Sequence, residues 1–352
     1  MRNEKLEVTE QIKKILIIKP SAMGDIVWAL PAVCCLKKNF PDAQIHWFVR
    51  PEFAPVIEGH KCVDRIVPFR RKKLGKWWYQ PSAFGELVRL VKCIRNEKYD
   101  IVFDFQGRFR SVIFAWLSGC KKRFGPAKTQ EFTKPFYTDT VAQSAQSVHL
   151  VDYFIDMVCA AGAKRTDVQF GLIPAARAME ELKKKLGAMG VVWNNYAVFV
   201  PGATVDAKRW PIENFAILAD KIYQKYGCNI VICGSESEKP IGEKLKELSD
   251  VPIANLAGGT YIPQLIALLA GAKFVVSNDT GPAHISSALG VPMALIFGYT
   301  NPNRVGVYGR KQCNAAIEPD KRGGDVESKN PAHDIKNVSV EKVFEIISRQ
   351  VE

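Results

Sequence analysis

The sequence has no window of about 18 uninterrupted apolar residues, so no stretch of it reads as a membrane-spanning helix. It lacks the G-x-G-x-x-G fingerprint as well. The first strand-to-helix loop, residues 21–24, holds a single glycine, which argues against a dinucleotide-dependent dehydrogenase. There is no D-x-D pair, no C-x-x-C and no linear Cys/His ligand spacing, so neither a cofactor nor a metal is expected. The nine cysteines, an odd number, lie mostly inside apolar runs, Cys34 and Cys35 adjacent to one another. The opening MRNEKLEVTEQIKK is charged and has no apolar core of an export signal. Reduced thiols in the cytoplasm are the expectation. Low-complexity tracts and internal repeats are absent beyond a strand–helix alternation.

A chain of 352 residues suits two domains of roughly 150–180 residues each. Charge divides unevenly between the halves. Residues 1–175 carry 28 Lys and Arg against 17 Asp and Glu, a net of +11, whereas residues 176–352 carry 21 against 19, a net of +2. An anionic partner for the N-terminal half follows: nucleic acid, an anionic membrane surface or an acidic substrate. ILIIK (15–19), QIHWFV (44–49), DRIVPF (64–69) and YDIVFDF (99–105) read as strands, with helices over 25–38 and 84–96. After a linker over 162–174 the rhythm restarts with YAVFVPGA (196–203), NIVICGS (229–235), FVVSN (274–278) and MALIF (293–297). The pattern predicts an α/β protein of two Rossmann-like domains facing across a cleft, 1–172 and 173–335. A last amphipathic helix within 336–352 is expected to pack back toward the N-terminal domain, and the tail 311–337 to be irregular.

Four segments could carry chemistry. In SNDTGPAHISSALGVP a strand ends in a polar turn and Pro282 opens a helix, which aims backbone N–H groups and the positive end of the helix dipole at a diphosphate-sized anion. Asp279, Thr280 and His284 share that rim. In KPSAMGDIVWALP, Asp25 stands at a helix start, where it can cap N–H groups or act as a general base. In VPGATVDAKRWP, Lys208 can neutralise a diphosphate and Thr204 can donate a hydroxyl hydrogen bond, with Trp210 as a packing residue. In VICGSESEK, Glu236 or Glu238 can accept from ribose hydroxyls or cap the helix that follows. Separately, FRRKKLGKWWYQ (69–80) sets basic residues beside Trp77, Trp78 and Tyr79, which suits an anionic lipid surface, single-stranded nucleic acid, or a basic loop with its aromatics in the core.

Together, KPSAMGDIVWALP, YDIVFDFQGRFRS, VPGATVDAKRWP and SNDTGPAHISSALGVP resemble the ADP-heptose:lipopolysaccharide heptosyltransferases, inverting glycosyltransferases of family 9 with a GT-B fold. The SAMGD and DFQG elements look more like type I members than type II. The resemblance implies that Asp25 is the catalytic base. It places Thr204, Lys208, Glu238, Asp279, Thr280, Gly281 and His284 on the ADP-heptose donor, and Lys19, Ser21, Arg70, Arg71 and Gln106 on an anionic Kdo-lipid A acceptor. It further implies a monomer needing no metal, working peripherally on the cytoplasmic face of the inner membrane without nucleic acid. Ala22, Ala203 and Gln130 depart from the type I pattern, and the PGA form at 201–203 is the type II form. The rival readings are a type II or other core heptosyltransferase, a nucleotide-sugar 2-epimerase, and a basic nucleic-acid-binding protein.

Overall fold

The computed structural model describes residues 12–129 and 131–352. The start of the charged N-terminal segment and Gln130, both used above, lie outside the described residues. The chain divides into two compact units, residues 12–147 with Val151–Gly171, and Val148–Leu150 with Leu172–Glu352.

In the first unit the strands are β1 (Lys14–Ile18), β2 (Gln44–Val49), β3 (Arg65–Pro68), β4 (Ile101–Asp104), β5 (Arg123–Pro126) and β6 (Asp139–Val141). Its helices are α1 (Met23–Asn39), α2 (Arg71–Leu74), α3 (Pro81–Asn96) and α4 (Phe109–Leu117), followed by α5 (Leu150–Ala160) at the boundary. All six strands are parallel, in the order β3-β2-β1-β4-β5-β6. Ile15–Ile18 of β1 are fully buried, as a central strand covered on both faces must be. Burial of Leu16, Ile18, Phe48, Val67 and Val102 against Phe114 and Ile94 makes the core on one face.

The second unit repeats the scheme. Its strands are β7 (Tyr196–Val200), β8 (Asn229–Ile232), β9 (Ile253–Asn255), β10 (Phe274–Asn278), β11 (Met293–Ile296) and β12 (Asn314–Ala315). Between and around them run α6 (Ala176–Ala188), α7 (Ile212–Tyr226), α8 (Lys239–Leu248), α9 (Ile262–Ala270), α10 (Gly281–Ala288), α11 (Pro302–Val305) and α12 (Val340–Val351). The order is β12-β11-β10-β7-β8-β9, again wholly parallel. Numbered within its own unit, each sheet runs 3-2-1-4-5-6. The direction of winding reverses between β1 and β4 in the first unit and between β7 and β10 in the second. Ligands of such sheets sit at the carboxyl ends of those strand pairs.

The last helix, α12, packs on the second unit. Val343, Ile346 and Ile347 join the core of the second unit with Phe215, Ile222 and Ala294. Gln350 adds edge bonds to the backbone of Met293, accepting from its N–H at 3.0 Å and donating to its carbonyl at 2.9 Å. The apolar stripe on this helix is satisfied by the nearest sheet. The tail 311–337, expected to be irregular, is not uniformly so: Cys313–Ala316 lie buried and carry the edge strand β12, and Ile335 reaches the same core.

Candidate functional site

At the carboxyl end of β1 the chain meets Pro20, which biases Lys19 toward extended backbone and ends the strand before α1 begins. The Lys19 side chain is only 5% exposed, and its Nζ lies 2.9 Å from Asp25 Oδ2 and 3.4 Å from the Phe105 carbonyl. Asp25 occupies the first turn of α1, and the same Oδ2 accepts from the Ala22 N–H at 3.3 Å. The carboxylate therefore does cap the helix. Both contacts fall on one oxygen, and Oδ1 keeps no protein partner among the described residues. Lys19 is held inside, facing Asp25, so it orients this carboxylate rather than standing open as an isolated ligand. Ser21 is half-buried in the same loop.

Gln106 follows β4, beside β1. Its backbone N–H and that of Gly107 donate to Asp104 Oδ1 at 2.9 and 3.2 Å. Asp104 is fully buried, and Ser111 and Tyr137 donate to its Oδ2 at 2.9 and 2.7 Å. Burial raises the Asp104 carboxyl above its usual range, against the pull of these four bonds. The Tyr137 ring lies over Gly125, where a Cβ would come within 2.2 Å of it. Gln106 Oε1 is buried without a hydrogen-bond partner among the described residues, as a site for a donor on a bound ligand would be. The sequence reading reached Gln106 but missed Asp104 and Tyr137; the signal available was an aspartate at the end of a buried strand.

Arg70 and Arg71 open α2 at the surface. Arg70 reaches Glu86 at 3.4 Å and Lys73 shares that carboxylate at 2.5 Å, while Arg71, Lys72 and Lys76 meet no carboxylate among the described residues. Trp77, Trp78 and Tyr79 are 50%, 72% and 56% exposed, so these aromatics are not tucked into the core. Beside them a groove of about 900 Å³ has Phe69, Leu74 and Phe114 in its walls, with Arg71, Lys72 and Lys76 among its polar residues.

In the second unit the ends of β7 and β10 form a charged centre. Lys208 Nζ bonds Asp279 Oδ2 at 2.6 Å, and His284 Nε2 lies 3.2 Å from Oδ1. Burial alone would raise the Asp279 carboxyl. The His284 hydrogen bond and the Lys208 ammonium overcome it and bring it to about 2. Asn278 fixes the loop around this centre: it donates to the Pro201 carbonyl at 2.8 Å and accepts from the Trp210 N–H at 3.2 Å. Thr280 is the N-cap of α10, with Gly281 and Pro282 opening the helix, so the N–H groups of Gly281 and Ala283 in its first turn have no intrahelical acceptor. Thr204 is exposed in the loop after β7. Trp210 is buried and donates to the Val338 carbonyl at 2.8 Å. Tyr299, which the sequence reading missed, sets its ring 5.9 Å from Lys208 Nζ.

Glu238 performs the capping role. Its Oε2 accepts from the Ser235 N–H at 2.7 Å and hydroxyl at 2.8 Å. The other oxygen lies over Gly202, where a Cβ would come within 2.1 Å of it. The structure thus gathers Lys208, Asp279, His284, Thr280 and Gly281 at one strand pair of the second unit, with Glu238 beside the neighbouring strand end. It gathers Lys19, Ser21, Asp25 and Gln106 at the matching pair of the first. A further group escaped the search for linear ligand spacing: Cys34, His60 and Cys62 come together in the first unit.

Residues 87–333 match the family described as Glycosyltransferase family 9 (heptosyltransferase). Over 319 residues the chain is 28% identical to lipopolysaccharide heptosyltransferase 1 of Escherichia coli strain K12, covering 87% of this chain and 94% of that protein. It is 26% identical over 303 residues to lipopolysaccharide heptosyltransferase 2 of the same strain, covering 82% and 84%. Among solved structures, Escherichia coli heptosyltransferase WaaC with ADP matches 96% of this chain and 99% of its own with a TM-score of 0.76 at 24% identity, which bears out the expected GT-B fold. A family match over 247 of the 352 residues, on two parallel sheets of that fold, makes this chain a glycosyltransferase of family 9, the heptosyltransferases.

Proposed function

We propose that the protein transfers L-glycero-D-manno-heptose from ADP-heptose to the Kdo of Kdo-lipid A, with inversion at the anomeric carbon, in assembly of the lipopolysaccharide inner core. The observation that carries this reading is the Lys208–Asp279–His284 centre at the start of α10. A helix N-terminus with a lysine beside it suits a diphosphate, and both supply positive potential where charge grows on departing ADP. A metal is not required for that stabilisation in this reading. Thr204 and Thr280 would add hydroxyl contacts, and Glu238 Oε1 would meet the ribose.

Asp25 is the proposed base. Its Oδ1 takes the proton of the attacking acceptor hydroxyl while Lys19 holds Oδ2, so the carboxylate does not rotate away. A positioned base contributes roughly 10²–10⁴-fold. Gln106, Ser21, Arg70 and Arg71 serve the acceptor, whose phosphates and carboxylates match the +11 charge of the N-terminal half. The protein works as a monomer at the cytoplasmic face of the inner membrane, held by α2 and its exposed aromatics. No helix among the described residues is long and apolar enough to cross a membrane.

ADP release from ADP-heptose with Kdo₂-lipid A tests this reading. Acceptor-dependent release should fall at least about a hundredfold in Asp25→Ala. Release only with an already heptosylated core would assign the protein to the second heptose addition, which its PGA sequence at 201–203 also fits. Wild-type release that ignores every acceptor would overturn heptosyl transfer.

A further inference from the structure

Cys34 lies in the middle of α1, the helix that carries Asp25 in its first turn. His60 and Cys62 follow β2 in a turn that folds back onto that helix. Cys34 Sγ and Cys62 Sγ are 3.2 Å apart, and these sulfurs and one nitrogen of His60 all lie within 4.8 Å of one another. The His60 ring is oriented from behind. Nε2 faces the Phe170 carbonyl at 2.9 Å, an acceptor only, so Nε2 carries the proton. Nδ1 is then the basic nitrogen, and it is the one turned to Cys62, accepting its backbone N–H at 3.2 Å. A metal-ligating histidine commonly donates to a backbone carbonyl through its other nitrogen, as Nε2 does here; a cation at Nδ1 would take the place of the Cys62 N–H.

Distance separates a chelate from a disulfide. Two thiolates on one tetrahedral zinc, with Zn–S about 2.3 Å, stand about 3.8 Å apart, whereas a disulfide requires about 2.05 Å. The observed 3.2 Å is about 0.6 Å from the first and more than 1 Å from the second. Gly171 closes the site: a Cβ there would come within 2.6 Å of His60 Nε2 and 3.7 Å of Cys34 Sγ. Cys34 and His60 are buried and Cys62 is half-buried. In such surroundings two thiolates would exactly balance a divalent charge, which lowers the cost of burying it.

We propose that Cys34 Sγ, Cys62 Sγ and His60 Nδ1 form a binding site for a thiophilic divalent cation, zinc by its ligand set. Binding forms two metal–sulfur bonds and one metal–nitrogen bond, releases the two thiol protons to solvent, and leaves the fourth position to water. Binding would pin α1 to the segment after β2 and, through His60 and Phe170, to residues 170–171. It rests on none of the assignments made for heptosyl transfer.

Cobalt(II) is the probe. One equivalent added to the reduced full-length protein should give thiolate-to-cobalt charge-transfer absorption, removed by competing zinc and lost in Cys62→Ser. Cys62 is half-buried, so that variant is the first choice, with Cys34→Ser beside it. His60→Gln should weaken cobalt binding by at least about tenfold, and Cys93→Ser should leave the spectrum unchanged. Absence of the band in the reduced wild type, its persistence in Cys62→Ser, or a Cys34–Cys62 disulfide recovered from thiol-blocked cells would each overturn the proposal.

Discussion

Asp279 holds the densest charge in the second unit, buried between Lys208 and His284. Its folded carboxyl titrates near 2, below the ordinary value of 3.8. A depressed carboxyl contributes stability above its unfolded value, and loses it as pH falls through the folded one. Chemical denaturation of wild type against Asp279→Asn should therefore show a gap on the order of 2 kcal/mol near neutrality, shrinking between about pH 4 and pH 2. A gap that stays constant over that window would mean the ion pair is not its origin. At this scale the turn at 277–284 was legible in the sequence, because strand end, cap and helix start are neighbours in the chain. The Asp104–Tyr137 bond was not. Its partners stand 33 residues apart, and they meet because Gly125 leaves room for a ring.

Among the elements, the central strands were readable because each is a run of apolar residues covered on both faces. β5, β6, β9 and β12 were not. β5 is Arg-Phe-Gly-Pro, poor in strand formers, and β12 has two residues, so both exist through pairing with a neighbour already in place. The surroundings of α12 were unreadable for a related reason: an amphipathic stripe states that a helix must be covered but not by which sheet. Its cover is β11 and α7, and Ile347 is fully buried there. Ile347→Ala should cost the second unit about 2–5 kcal/mol. Thermal melts with nucleotide binding as a second readout would locate the loss. A melt unchanged from wild type would contradict the packing described.

Over the whole molecule, the N-terminal excess of positive charge coincides with an exposed basic and aromatic surface at residues 70–79. The attachment proposed for it would combine screened Coulomb attraction with partial burial of indole rings. Flotation with liposomes should show binding that grows with anionic lipid, weakens as salt rises, and drops several-fold in Trp77→Ala/Trp78→Ala. Binding indifferent to both lipid charge and salt would remove this surface from the account. The basic balance was visible in composition, while exposure of the aromatics needed the fold. The repeated strand order has a consequence for how such a protein can change. Each unit has its own switch point between its first and fourth strands, so in the proposed reading the determinants of donor and acceptor are written in two separate stretches of chain. On that reading, substitutions that retune one recognition event need not pass through the core that supports the other, and selection could act on acceptor choice while donor recognition stays fixed.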